Sequence, residues 1–385
     1  MRFGGDKTPA HAYYSTVRPA HLYVHVPFCS RRCIYCDFSI AVRPVVPVAE
    51  YLDGIERELS LRFSLEKEVW PLTTLYLGGG TPSKLGAEGV ADLLAIVARH
   101  ATFDSDTEIT IEANPEDATP DTLNAWAGVG VNRISLGSQS FDNNVLEWMH
   151  RSHDADSIRR AVHSARSAGI KNISLDLIFA LPDQINRSWS DDLDEALSLE
   201  PSHVSLYGLT IEPATPLSRW TESNRVSPTP DDRYADEFLL AHDRLTSVGF
   251  EHYEVSNFAL PGHASKHNSA YWTGAAYAGI GPAAHSFDGM KRSWNIKAYT
   301  RWLDALRGGR SPIEGDEQLA TENAFTEKVY LGLRTQYGYS VGAHDRATAE
   351  QWARAGWAVI DGDLVRLNPE GWLRLDSLAA GLTGS

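Results

Sequence analysis

From residue 21 onward the chain alternates between two hydrophobic periods. Short runs rich in β-branched and aromatic residues are followed by stretches where apolar residues recur every three or four positions, which reads as strand, then helix. HLYVHV (21–26) predicts a first strand, and Val48, Leu52, Ile55, Leu59 and Phe63 mark a helix after it. TTLYLGG (73–79) predicts the second strand and the 86–99 region a helix. EITIEAN (108–114) is the third strand, followed by a helix opened at Thr119-Pro120, a cap before a first-turn proline. RISLGS (133–138) is the fourth strand; Ile158, Ala161, Val162 and Ala165 mark a helix that stops at Gly169, a glycine suited to the C′ position. NISLDLIF (172–179) and HVSLYGLT (203–210) are the fifth and sixth strands.

Six β-α units in a row predict an α/β fold with a parallel sheet and helices outside it. The strands are apolar on both faces, as a buried parallel sheet requires. A full (β/α)8 barrel and an open one both fit, and we expect an incomplete parallel (β/α)6 TIM-like barrel over 21–255. No GxGxxG follows the first strand, so a dinucleotide fold is disfavoured. The pattern degrades after about residue 255. An extension over 256–309, rich in Gly, His, Asn and Trp, suits a functional loop region. Helical stretches near 322–336 and 346–355, then a hairpin in WAVIDGDLVRL (357–367) turning at Asp361-Gly362-Asp363, predict a small winged-helix-like α+β domain over 310–385. Its 316–385 portion carries ten acidic and six basic residues, which favours a lid or docking role over DNA binding.

Composition narrows the field. A chain of 385 residues with 43% hydrophobic and 22% charged positions is an ordinary globular protein, of two domains or one with an appendage. A net charge of −15 argues against nucleic acid, which needs a basic footprint. No run of eighteen apolar residues predicts a transmembrane segment. Residues 1–20 lack the apolar centre of a signal peptide and read as a flexible tail. The expected location is the cytoplasm, where thiols stay reduced.

The polar residues fall where chemistry would sit. The cysteines follow the first strand and Gly78-Gly79-Gly80-Thr81-Pro82 the second. Glu112 ends the third, Gln139 follows the fourth, Asp176 lies in the fifth and Thr210 closes the sixth. Parallel sheets and barrels place active sites at the C-terminal ends of their strands. Each residue alone reads as a turn or cap; the series predicts one pocket.

The chain's three cysteines, Cys29, Cys33 and Cys36, fall within eight positions, in FCSRRCIYCDF (28–38). An odd number cannot pair evenly. Zinc wants a fourth ligand, which His21 or His25 would have to supply. A chance group of buried thiols is improbable in a chain otherwise free of cysteine. A [4Fe–4S] cluster held by three thiolates leaves one iron open to a substrate.

This spacing resembles the radical S-adenosylmethionine superfamily. In that family the open iron chelates the amino and carboxylate groups of S-adenosylmethionine, whose reductive cleavage yields a 5′-deoxyadenosyl radical. The strings YVHVPFC, GGGTPS, IEANP, LGSQSF, LDLIFALP and SLYGLTIEP narrow the likeness. They resemble the branch of oxygen-independent coproporphyrinogen III oxidase and its relatives, over about 21–380. The resemblance implies S-adenosylmethionine contacts at Tyr23, Tyr35, Gly79, Gly80, Thr81, Glu112, Gln139, Arg151 and Asp176, with one or two such molecules bound. Phe38 stands where the oxidase has a fourth cysteine. KHNSAYW (266–272) and YAGIGPAAHSF (277–287) are similar to the haem chaperone branch, the HemW type. Asp183 departs from the glycine usual in LPDQ.

The likeness implies a carrier that binds haem, with His267 as a candidate ligand and Tyr271 and Trp272 against the macrocycle. It would pass haem to acceptor proteins and take electrons for its cluster from a donor. His285 and His263 are alternative ligands. The competing expectation is the oxidase itself, decarboxylating coproporphyrinogen III propionates.

Overall fold

The computed structural model describes residues 18–63 and 70–383. Residues 1–17 of the expected tail lie outside the described residues. Its end is tied down, because the Trp70 indole donates to the Pro19 carbonyl at 2.7 Å and Thr73 N–H to the Ala20 carbonyl at 2.7 Å.

The six expected strands are present in the expected order. They are β1 (His21–Val26), β2 (Thr74–Gly79), β3 (Glu108–Ala113), β4 (Arg133–Gln139), β5 (Asn172–Phe179) and β6 (His203–Gly208), each parallel to the next. Leu22, Val24, Leu75, Leu77, Ile111, Ile134, Leu136, Leu175 and Leu177 are all fully buried, as sheet residues covered on both faces must be.

The covering comes from helices α1 (Val48–Arg62), α2 (Gly86–Ala98), α3 (Pro120–Gly128), α4 (Asn143–Trp148), α5 (Ala155–Ser167) and α6 (Trp189–Ser198). Local chemistry sets their ends. Thr119 accepts from Thr122 N–H with Pro120 in the first turn of α3, and Gly169 takes φ +88 just past α5. After β6 come α7 (Pro216–Glu222) and α8 (Asp231–Ser247).

The periodicity did not predict how the sheet is extended. Among the described residues it has nine strands. Short β7 (Glu251–Glu254) and β8 (Asn257–Ala259) add antiparallel pairing beside β6, and β9 (Ala278–Ile280) pairs parallel to β1 at the other edge. Helix α9 (Lys266–Trp272) lies between β8 and β9 in the chain. Three further strands, β10 (His285–Phe287), β11 (Lys291–Asn295) and β12 (Ile313–Gln318), form an antiparallel sheet, and α10 (Tyr299–Arg307) packs on α1.

The last seventy residues hold α11 (Thr321–Leu333), β13 (Tyr339–Ser340), α12 (Arg346–Arg354), the hairpin β14 (Ala358–Asp361) and β15 (Leu364–Leu367), and two short helices. The hairpin turns where the sequence places it, with Asp361 opposite Leu364 and Gly362 at φ +60. This part shares one continuous apolar cluster with the main sheet, through Val329, Leu333, Trp352 and Trp372. Backbone bonds from Val255 N–H to Arg334 O (3.2 Å) and from Gln336 N–H to Tyr253 O (3.0 Å) fix it to β7.

Candidate functional site

The cysteine loop is a closed excursion beyond β1. Phe28–Cys29 pairs in parallel with Ala41–Val42, and Arg43 N–H reaches the Cys29 carbonyl at 3.0 Å, so the two ends meet. Ile34 anchors its middle. It is fully buried against Leu217 and Val226, and its carbonyl accepts from Leu217 N–H at 3.0 Å. Cys33 and Cys36 flank this anchor in one turn, with Cys36 N–H on Cys33 O at 3.4 Å.

The three cysteines, Tyr35, Gly79, Gly80, Thr81, Glu112, Gln139, Arg151, Asp176 and Thr210 all line one cavity of about 530 Å³ at the C-terminal ends of the strands. The sequence-predicted residues that gather there come from every one of the six parallel strands or the loop after it. Arg151 spans the cavity wall. One guanidinium nitrogen donates to Cys33 Sγ at 3.4 Å, and another to Asn114 Oδ1 at 2.8 Å and Gly137 O at 2.9 Å.

The donor set fits an iron–sulfur cluster. All three cysteines are free thiols on one cavity. Burial, partly offset by Thr81, pushes the Cys29 thiol up to about 11, so ionising it calls for a cationic partner. Among the described residues no three His, Cys, Asp or Glu side chains converge closely enough to hold a single ion. Thiols spaced around a cavity suit a body with several irons. The histidines weighed for zinc are turned elsewhere: His25 faces Tyr23 and the Ser39 carbonyl, and His21 bonds Thr74.

Gly79 is required by two independent constraints. It takes φ +116, and a Cβ there would lie 2.6 Å from the His25 ring. Its N–H donates to Glu112 Oε2 at 2.9 Å, while the Tyr76 hydroxyl donates to Oε1 at 2.9 Å. Gln139, also at positive φ (67°), sits where the β4–β5 register breaks, which turns it into the cavity. Asp176 accepts from Ser135 (2.8 Å) and Ser174 (3.2 Å), and burial raises its carboxyl above the usual range.

Burial pushes the Glu112 carboxyl up to about 7, despite the bonds from Gly79 and Tyr76. The folded state therefore holds this proton more tightly than the unfolded chain does. Its contribution to stability is fully present below pH 4.5 and is lost as pH rises through 7. Glu112→Gln removes that loss. In cofactor-free protein we expect it to gain on the order of 2–3 kcal/mol relative to the parent at pH 8 and nothing at pH 4. Urea unfolding at the two pH values measures this, and an equal effect at both would refute the assignment.

Two predicted residues lie outside this cavity. Tyr23 packs beside the stacked pair of Tyr76 and His267, with ring centroids 6.0 and 6.3 Å away. His267 stands at the opposite ends of the strands. The Glu108 carboxylate, at the start of β3, accepts the N–H groups of Lys266 and His267 (both 3.0 Å) and so fixes the first turn of α9 there. His267 is 1% exposed. One ring nitrogen bonds Thr74 Oγ1 at 2.6 Å and the other Tyr271 Oη at 2.9 Å, so neither is free for iron. Among the alternatives, His285 is exposed on the antiparallel sheet and His263 lies before α9. Sequence reasoning missed Tyr76, Asn114 and Ser135. Tyr76, a polar ring inside an apolar strand two positions before Gly78, was the readable signal. Asp183, which stands in LPDQ where the family usually has glycine, pairs with Arg233 on α8, away from the thiols.

A family model described as the radical SAM superfamily matches residues 23–196. A Mycobacterium tuberculosis protein named Heme chaperone HemW is 35% identical over 373 residues, covering 95% of each chain. A protein of the same name from Synechocystis is 36% identical over 329 residues, 83% of this chain and 79% of its own. The solved structure of Escherichia coli coproporphyrinogen III oxidase (HemN), described as a radical SAM enzyme, superposes with TM-score 0.79 at 23% identity, over 95% of this chain and 90% of that one. The fold is thus that of radical SAM α/β proteins, built on a large, mostly parallel sheet. The chain belongs to the HemW haem chaperone family of the radical SAM superfamily.

Proposed function

We propose that this protein is a haem chaperone: it binds haem and delivers it to haem-requiring acceptors. The observation that carries the reading is the likeness to a relative of that name along 95% of both chains. In this reading Cys29, Cys33 and Cys36 hold a [4Fe–4S] cluster, and the cavity beside them takes S-adenosylmethionine. Such a cluster supplies an open iron for the ligand's amino and carboxylate groups, and an electron when reduced.

The chain's own residues would do the rest. Gly79 and Gly80 let the backbone approach the ligand. Glu112 and Asp176 offer acceptors to its ammonium and ribose, Arg151 balances the thiolates, and Tyr35, Thr81 and Gln139 complete the wall. Tyr23 supports this wall from beneath, by way of Tyr76 and Glu112.

The sheet is read as an incomplete (β/α)6 barrel over 21–255, with 256–309 as an extension and 310–385 as a winged-helix-like lid or docking domain. Among the described residues no helix is long and apolar enough to cross a membrane. We place the protein in the cytoplasm, with an electron donor and haem acceptors as partners. Phe38, 58% exposed at the cavity rim, leaves this chain without the fourth thiol of the oxidase.

Anaerobic titration of the cluster-reconstituted chain with haem tests the proposal. A saturable Soret shift is expected, with no carbon dioxide released from coproporphyrinogen III in the presence of S-adenosylmethionine and reductant. Absence of saturable binding, together with decarboxylated product, would overturn it.

A further inference from the structure

We propose that haem seats in a second cavity, at the far end of α9 from His267, and that the Tyr277 hydroxyl is the oxygen that meets its iron. This rests on the carrier reading above and locates its cargo. The cavity holds about 720 Å³ and opens where the end of α9 meets the antiparallel sheet and α11. It shares no lining residue with the cysteine cavity and falls within the ~300–1,000 Å³ of small-molecule sites.

Its walls suit a flat apolar ring. Trp272, Tyr277 and Phe287 line one side and Leu331 of α11 the other. The Trp272 indole is held in plane by the Arg334 guanidinium, 4.3 Å from its ring, and Arg334 is itself paired with Glu254 at 2.9 Å. Tyr277 is fixed edge-on to Tyr271, with centroids 4.6 Å apart. Met290 (65% exposed), Phe325 and Tyr337 (62% exposed) are each next in the chain to a lining residue.

The charges match two carboxylates. Lys328 on α11 lines the cavity, exposed, and has no hydrogen bond or ion pair among the described residues. Arg292 lies across from it, already paired with Glu327. A propionate can take Lys328 outright and share Arg292.

The iron ligand is assigned to the lining hydroxyl set in the aromatic wall. The lining contains no His, Cys or Met. The Tyr271 hydroxyl is committed to His267 and Glu327 to Arg292; Tyr339 packs its ring on Gly332 of α11, whereas Tyr277 belongs to the aromatic wall, 6.3 Å from Phe287 between ring centroids. Tyr277 has a hydroxyl without a hydrogen bond among the described residues; burial holds its proton more tightly than usual, with the Arg292 cation pulling the other way, so the iron itself must displace that proton. A phenolate is an established axial ligand of ferric haem. On binding, the O–H bond breaks, an O–Fe bond forms, and the proton passes to water. The iron keeps its oxidation state.

The test is a ferric haem titration of the full, cluster-reconstituted chain beside Tyr277→Phe and Lys328→Glu. The parent should show a phenolate-to-iron charge-transfer band. Tyr277→Phe should lose the band and bind at least about tenfold more weakly, while Lys328→Glu should keep the band and weaken severalfold. Lys328 is exposed, so its variant reports on the seat even if the 277 variant fails to fold. A Tyr277→Phe protein with the parent's spectrum and affinity overturns the ligand. Parental binding in both variants moves the haem elsewhere and leaves the carrier reading standing. A parent that binds no haem removes both.

Discussion

Cys33→Ala yields protein that has lost the entire iron–sulfur cluster, with iron and sulfide both near zero, and S-adenosylmethionine binding disappears with them. The size of the effect follows from how a three-ligand cluster is held. Each thiolate anchors a different iron, so removing one leaves a four-iron body on two attachments, open to solvent on two corners. Cys33 is the informative position among the three. It is only half-buried, and its contacts are the Arg151 guanidinium and the Cys36 amide, so the alanine opens no large core cavity. The loop keeps its anchors at Ile34 and at the Phe28–Cys29 pairing, so the fold should lose no more than about 1 kcal/mol. Metal and sulfide analysis after anaerobic reconstitution, beside a circular dichroism spectrum equal to the parent's, makes the measurement. Full iron and sulfide in a folded Cys33→Ala protein would sink the cluster assignment and return attention to zinc.

The part of this site built on strand ends is legible in the sequence alone. A parallel sheet turns positions scattered from Cys29 to Thr210 into one ring, because every strand ends on the same side. The motif at 266–272 was legible as a motif but not as a place. Nothing in its residues says which end of the sheet the chain returns to after β8. That is decided by Glu108, whose carboxylate caps α9 from the starting end of β3. So His267, read as a ligand, is a buried partner of Thr74 and Tyr271, and the open surface belongs to the helix's other end. Tyr76 was hidden for a related reason: in a strand buried on both faces, alternation does not reveal which side chain reaches the Glu112 carboxylate on the neighbouring strand. The short β7, β8 and β9 were hidden by length, since three or four residues cannot establish a period.

The second large effect concerns a residue that the sequence gives no reason to notice. Glu58 follows the apolar stripe of α1 and reads as a solvent-facing helix residue, yet it is 0% exposed. Its Oε1 accepts from Arg62 at 2.9 Å and Asn295 at 2.6 Å, and its Oε2 from Gly281 N–H at 3.0 Å and the Trp302 indole at 2.8 Å. Arg62 also reaches the Gly279 carbonyl at 2.6 Å and Ser286 Oγ at 3.1 Å. One carboxylate thus joins α1 to β9, to β11 and to α10, segments more than two hundred positions away. Glu58→Ala leaves a buried guanidinium, an indole N–H, an amide and a backbone N–H without their acceptor. Breaking one partner of a buried pair costs about 3–5 kcal/mol, a large share of the ~5–15 kcal/mol that holds a domain together. We expect that loss in urea unfolding. Glu58→Gln should lose about half as much, because its one oxygen still serves part of the set while its amide turns a donor toward other donors. The variant also separates the two cavities. The cysteine loop touches none of these four donors, whereas β10 and β11, which carry Phe287 and Arg292, hang on them through Ser286 and Asn295. At a temperature where Glu58→Gln remains folded, iron and sulfide should match the parent while haem affinity falls. An alanine variant within about 1 kcal/mol of the parent would mean that water or a neighbouring acceptor replaces the carboxylate, and that the edge of the sheet stands without it.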